Sequence, residues 1–291
     1  MKKTASDRVF DLVVYVLLAL VSIVMIYPFL NVLAIAMSDY SGYLENPMMI
    51  FPKNFTLDAV KEVFRNPLVL SGYGNTIFIT LVGTLLDLVL LTLVAYPLSR
   101  NGFRGKKIFM SLIIFTMLFN GGLIPNFYLI RSLHLLDTRW ALIFPRLLSA
   151  FNIILLINFF QSLPVSLLEA AKLDGAGEWK VLYQIVLPLS KPIMATLALF
   201  VAVGYWNSFF EAIMYIRATD RWTLQLVLRE IVMSSNTQML QTGGNLAELG
   251  KTTSESLKYA TLIVAIVPIM CVYPFLQKYF TQGVMVGAVK G

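Results

Sequence analysis

Apolar residues run along this chain in long unbroken stretches separated by polar connections. Six stand out, over residues 9–37, 76–97, 108–130, 141–160, 192–216 and 259–280. Each is long enough to cross roughly 30 Å of hydrocarbon as a helix of about 20 residues. A helix also satisfies its own backbone groups, which lipid cannot do. Strands of a membrane barrel alternate apolar and polar positions over segments of ~10 residues, and these stretches do not alternate. The pattern predicts an all-α integral membrane protein with six spans, organised as one domain over 1–291. The first stretch opens on Lys2, Lys3 and Arg8 and closes on Ala34-Ile35-Ala36, the outline of a cleavable signal. Its apolar part far exceeds the about 7 to 15 residues of such a signal, so it reads as a retained span, kinked at Pro28. Two connections are long, 38–75 and 217–258, and the Gly/Ser/Thr-rich part of the second, 234–256, reads as irregular loop.

Composition agrees with a lipid environment. Hydrophobic residues make up 58% and charged residues 13%, against roughly 25% charged in a soluble domain. The net charge of +7 is scattered between apolar runs and forms no stripe, which excludes nucleic acid as the partner. Charge instead orients the chain. The short connection RNGFRGKK at 100–107 carries four basic residues and no acid, whereas 38–74 mixes Lys53, Lys61 and Arg65 with acids. Basic short loops stay inside, so both termini are expected in the cytoplasm and the two long connections outside.

Candidate chemistry is sparse. The single Cys271 lies in the last apolar run and the single His134 in a short outer connection, so neither a disulfide nor a metal cluster is built from them. The stretch GGNLAELGKTT at 243–253 imitates a phosphate loop, but Asn245 stands where its first glycine belongs. No nucleophile–base pair is visible. No catalytic residue and no metal ligand is expected.

The connection between the fourth and fifth spans, 163–192, is the most informative. Ser166 and Glu169 have capping-box spacing, Ala170-Ala171 keeps one helix face small, and Gly175 suits a left-handed stop. Asp174 can cap a second helix, expected over 179–186 and ending before Pro188. The expected product is a helix–turn–helix with a small-residue docking surface. Glu169-Ala170-Ala171, then Gly175, Ile185 and Leu187-Pro188 stand at the spacings of the EAA loop of ATP-binding-cassette importer permeases. FNGGLIPNFYLI (119–130), VGYWNSFFEA (203–212) and the ending QKYFTQGVMVGAVKG (277–291) resemble the carbohydrate-uptake, maltose-type branch of that family. The resemblance covers essentially the whole chain.

It implies a type I (MetI-like) permease core in a bacterial cytoplasmic membrane, with Glu169, Ala170, Ala171, Asp174 and Gly175 forming the element that couples to an ATPase. It implies as partners a second permease subunit, two copies of a cytoplasmic ATPase, an extracytoplasmic solute-binding protein and an oligosaccharide. ATP and Mg would sit on the ATPase and no cofactor on this chain. Residues 287–291 would reach the ATPase interface, and the connection 217–258 corresponds in position to a loop that reaches the binding protein's sugar pocket.

Polar residues inside the spans are the remaining signal, because charge within a membrane costs about 2.5 to 3.5 kcal/mol on insertion scales. Asp87 lies deep in the second span and is expected to face the bundle interior, bonded to a neighbouring helix. A proton-relay role for it would instead make the chain an ion- or proton-coupled secondary transporter. Sugars stack on aromatic rings and need amide or carboxylate partners for their hydroxyls. That directs attention to Tyr205, Trp206, Asn207, Phe210 and Glu211 in the fifth span, to Asn120 beside Gly121-Gly122 in the third, and to Asn158 in the fourth.

Overall fold

The computed structural model describes residues 5–100, 102–241, 256–271 and 274, and among them helices are the only extended elements. Residues 243–253 and 287–291, which carry the phosphate-loop imitation and the expected ATPase-facing tail, lie outside the described residues. Two compact units are present, Met1–Val69 with Leu228–Val267, and Leu70–Val227 with Pro268–Gly291.

The first unit begins with α1 (Ala5–Ala36), which continues through Pro28. Its apolar side chains from Val9 to Phe29 are almost all exposed, and only its last turn, Ala34 to Ala36, is buried. There the chain folds back. Ser38 Oγ donates to Ala34 O at 2.6 Å and accepts from Lys53 N at 3.0 Å, and Ser38 pairs with Phe55 in a single antiparallel bridge. Asn31 donates to the carbonyls of Pro47 and Met49 at 3.0 and 2.9 Å. Two short helices come next, α2 (Tyr40–Glu45) and α3 (Asp58–Arg65). Asp39 caps α2 by accepting from Gly42 N at 2.9 Å. That bond, helped by Ser41 and Asn54, holds the Asp39 carboxyl below its usual range. An apolar helix over Ser256–Cys271, α15, brings Tyr259 to 6.2 Å from Tyr43.

The second unit is organised by α4 (Pro67–Ser99), a long apolar helix. The next three apolar stretches are each interrupted, where the sequence pattern predicts continuous spans. The third divides into α5 (Lys106–Leu118) and α6 (Leu123–Ser132), bent by 116°. Gly122 at φ +86° makes the turn, and Asn120 accepts from Gly122 N at 2.8 Å to hold it. The fourth divides at 147–149 into α7 (Trp140–Ile143), continued by a 3-10 turn to Arg146, and α8 (Ala150–Ser162), bent by 52°. Here Leu148 takes φ +61° without being glycine, and its N–H donates to Asp87 Oδ1 at 2.7 Å. Asp87 is 1% exposed, so the expected hydrogen bond to a neighbouring segment is present.

The polar connection then forms α9 (Val165–Leu173), α10 (Glu178–Val181), a π turn over Leu182–Val186, and α11 (Leu187–Leu189). The fifth span is α12 (Lys191–Trp206), broken before α13 (Phe210–Tyr215). The segment Glu178–Leu189 meets α12 at a further bend of 78°; among the described residues two long helices and three bent pairs allow up to five crossings, with α15 a shorter apolar helix beside them.

Counted from the connections 100–107 and 163–190 at 1.5 Å per residue, α5, α8 and α12 run about 20, 20 and 24 Å to their breaks. Irregular backbone within a span is tolerated where protein buries it or where it lines a watery cavity. On the opposite side the loops are tied down. Asn75 donates to the carbonyls of Asp220 and Trp222 at 2.8 and 3.0 Å, and Arg139 donates to Asn75 at 3.0 Å. The Asp137 carboxyl, bonded by the backbone N–H groups of Ala218 and Arg217, lies below its usual range.

Helix α14 (Leu224–Gln241) replaces the first half of the loop expected over 217–258. Its start abuts α4: Leu224 N donates to Thr76 Oγ1 at 2.8 Å, and a Cβ on Gly72 would lie 3.2 Å from Leu224 Cα. Deeper in α4, a Cβ on Gly83 would stand 2.6 Å from the ring of Tyr205, which is 2% exposed. Gly83→Ala is therefore expected to cost about 1 to 3 kcal/mol through overpacking. A lower melting temperature of the purified protein in detergent checks it.

Candidate functional site

The coupling candidates lie on α9 and the turn after it. The helix begins at Val165 with Pro164 as its N-cap, and no side-chain cap bond is made. The expected capping box is thus not formed: Ser166 sits inside the helix, where proline has already fixed the entry. The exit matches expectation. Gly175 has φ +78°, its N–H donates to Lys172 O at 3.0 Å, and Ala176 N donates to Ala171 O at 2.9 Å. These two bonds are the Schellman closure, which needs a residue in the left-handed region. Asp174 is the C-cap of α9, and Gly177, in place of Asp174, precedes α10.

Ala171 and Leu168 turn inward, 9% and 8% exposed. Glu169, Ala170, Asp174 and Gly175 face outward, beside an uncovered Leu173 at 88% and Trp179 at 64%. Large apolar side chains left uncovered among polar groups are what an interaction surface presents.

A polar cluster ties this surface to α4. Glu178 Oε1 lies 2.8 Å from Lys172 Nζ, and Glu178 Oε2 accepts from the Tyr96 hydroxyl at 2.6 Å. Arg100 donates to the same hydroxyl, lies 3.7 Å from Glu178, and covers the Tyr96 ring at 4.4 Å. The bonds from Lys172 and then Tyr96 hold the Glu178 carboxyl below its usual range. Beside the cluster lies a cleft of about 340 Å³ lined by Leu93, Pro97, Phe103, Trp179 and Leu182. None of Tyr96, Arg100, Lys172 and Glu178 is singled out by sequence motif. Their charges on a connection look like ordinary solvated polarity until the fold joins them.

The path candidates divide. Tyr205 is buried, and its hydroxyl donates to Ile143 O at 3.1 Å. It wedges α12 against α7 and offers no face to a sugar. Trp206 is half-buried, edge-on to Tyr73 at 6.3 Å. Asn207, Phe210 and Glu211 occupy the break after α12 and the start of α13, with Asn207 and Phe210 exposed and Glu211 half-exposed. Asn120 lies at the break in the third stretch. Asn158 is exposed on α8 one turn from Ser162, at the end of that helix away from its break. Sequence reading missed Arg146, whose guanidinium lies 3.5 Å from Glu211 and 5.5 Å over the ring of Tyr205. The rule that selected Asp87, a charge inside an apolar run, applies equally to Arg146.

Residues 88–286, which include both the α9 surface and all three breaks, match the family described as the binding-protein-dependent transport system inner membrane component. The chain belongs to this family. As a member, it is a membrane component of a transport system rather than an enzyme. Protein LplC of Bacillus subtilis (strain 168) is 44% identical over 291 residues, 100% of this chain and 98% of the relative. The polygalacturonan/rhamnogalacturonan transport system permease protein YtcP of the same organism is 39% identical over 289 residues, 98% and 100% of the two chains. A crystal structure of a bacterial ABC transporter involved in the import of the acidic polysaccharide alginate contains a chain similar over 96% of this one and 99% of its own length. Its TM-score is 0.87 at 33% identity. The fold is accordingly the all-helical permease fold that the EAA pattern implies.

Proposed function

We propose that this chain is one of two permease subunits of an ATP-driven importer that receives an oligosaccharide from an extracytoplasmic binding protein. The observation that carries the reading is the α9 surface: a helix closed by Gly175, uncovered at Glu169, Ala170 and Leu173, and bonded through Lys172 and Glu178 to the end of α4. A separate ATPase docks there, and its closure on ATP moves α9 and, through the polar cluster, the long helix. Two such movements across the permease pair open the outer face to the sugar, and hydrolysis resets the inward-facing state. ATP and Mg reside on the ATPase, both termini of this chain are cytoplasmic, and the connection 217–258 faces the binding protein. The relatives named for polygalacturonan and alginate support a carbohydrate cargo. Ion coupling through Asp87 is disfavoured because one oxygen of that carboxylate is committed to Leu148 N–H.

Affinity purification of the tagged chain from its native membranes tests the assembly. A second permease and an ATPase are expected to accompany it. Leu173→Asp places a charge at the centre of the exposed surface and should weaken ATPase binding by about 2 kcal/mol, roughly thirtyfold, while the second permease stays. Recovery of the chain alone, or full ATPase retention by both Leu173→Asp and Glu169→Ala, removes the reading.

A further inference from the structure

We infer that Arg146 and Glu211 form a sugar-binding subsite beside the helix breaks, built to take an uncharged sugar ring and to reject a uronate. The inference rests on the importer reading above and adds a substrate class to it.

Four observations carry it. First, two charged side chains inside apolar stretches carry an energetic cost that faces an interior or a watery cavity, not lipid. Second, the pair is open. Arg146 and Glu211 are 32% and 31% exposed, and they approach only to 3.5 Å, whereas a structural guanidinium–carboxylate fork closes to about 2.7 to 2.9 Å. Third, its hydrogen-bonding capacity is unspent. A guanidinium has five N–H donors, and among the described residues Arg146 meets one carboxylate oxygen and the face of Tyr205. Glu211 accepts from Ser208 Oγ at 3.2 Å through its other oxygen. Neighbouring sugar hydroxyls, each both donor and acceptor, suit a donor fork beside an acceptor. Fourth, Phe209 and Phe210 immediately precede Glu211 and are 42% and 45% exposed, apolar rings of the kind a sugar face stacks on.

Charge selects the ring. Arg146 and Glu211 neutralise each other, so the pair carries no surplus positive charge. A sugar carboxylate could bond the remaining donors, but it would set two negative charges against one guanidinium and leave one of them uncompensated. Neutral hydroxyls add no such charge. This subsite therefore sets the chain apart in chemistry from what the relatives named for polygalacturonan and alginate carry.

The test uses the intact transporter in native membrane vesicles with a fixed panel: xylotetraose, cellotetraose and maltotetraose as neutral probes, and trigalacturonate and tetragalacturonate as acidic ones. ATP-driven uptake of at least one neutral probe, exceeding either uronate by tenfold or more, is expected of the unaltered protein. Glu211→Gln, which keeps the acceptor and removes the charge, should shrink that ratio at least fivefold by admitting uronates. Arg146→Gln should lower neutral uptake about tenfold with the ATPase still bound. Uptake of uronates alone, uptake of no neutral probe, or an unchanged ratio in Glu211→Gln overturns the subsite. So does full recovery of neutral uptake when the two residues are exchanged (Arg146→Glu with Glu211→Arg), since that identifies a purely structural ion pair. Failure of the importer reading looks different: no ATPase in the purified complex, or uptake that ignores ATP.

Discussion

Replacing Glu178 with glutamine is expected to leave the ATPase bound and hydrolysing while sugar uptake per ATP falls about tenfold. Glu178 opens α10 at the edge of the exposed surface, next to Trp179, and is not one of the α9 residues that form it. Its role is mechanical: one oxygen bonds Lys172 at the end of α9, and the other accepts from Tyr96 near the end of α4. Neutral glutamine keeps the size and loses the charge that gathers Lys172, Tyr96 and Arg100. A coupling free energy of about 1 to 3 kcal/mol corresponds to roughly 5- to 150-fold in the transmitted effect, and tenfold lies within that window. Tyr96→Phe is the companion variant, since it keeps the ring under Arg100 and removes only the hydroxyl. Parallel measurement of ATP hydrolysis and uptake in vesicles separates the outcomes, and equal losses in both would mean a folding or docking defect.

The acid side of the same cluster has a definite sign. Because folding lowers the Glu178 pKa, the cluster's contribution is complete above the unfolded value of 4.5 and is lost as pH falls through the lower folded value. Uptake should therefore show no loss from this group between pH 8 and 5.

The second large effect concerns Asp87, where two substitutions part company. Asp87→Asn retains a carbonyl oxygen for the Leu148 N–H and is expected to keep most uptake. Asp87→Ala leaves that buried donor unmatched, at about 1 to 3 kcal/mol, and removes what holds Leu148 in the left-handed region. The break at 147–149 should then shift, and with it Arg146 two residues earlier. Thermal stability and uptake of the two variants check this, and a proton relay would give the opposite pattern, with Asn as damaging as Ala.

Some of this architecture is local and so was readable. The Schellman closure at Gly175 needs only a glycine after a helix, and the EAA spacing is contained in one connection. The apolar runs are equally local, and among the described residues they fall on helical segments, the third to fifth interrupted and the last described only in part. Other features depend on distant partners. Leu148 carries no mark of a turn, because the group that stabilises it is Asp87, 61 residues earlier. The capping box failed because Ser166 and Glu169 have the right spacing at the wrong register, one proline having already set the helix start. Helix α14 was missed for a different reason. Leu224, Val227, Leu228 and Ile231 follow helical periodicity, but the polar tract after them dominated the reading of that connection.

The contrast between α1 and the interrupted segments also dictates an order of construction. From Val9 to Phe29, the apolar side chains of α1 are almost all exposed among the described residues. All its backbone bonds are internal, and lipid tails solvate its side chains as well as leucines would. It is complete as soon as it enters the bilayer and can hold the growing chain there. The fourth stretch has no such independence. Its break at Leu148 is satisfied only once α4 presents Asp87, and Arg146 is neutralised only once Glu211 has been synthesised, 65 residues later. Insertion and assembly are therefore separate events in this protein, with α1 finished first and the charge-bearing middle of the path finished last.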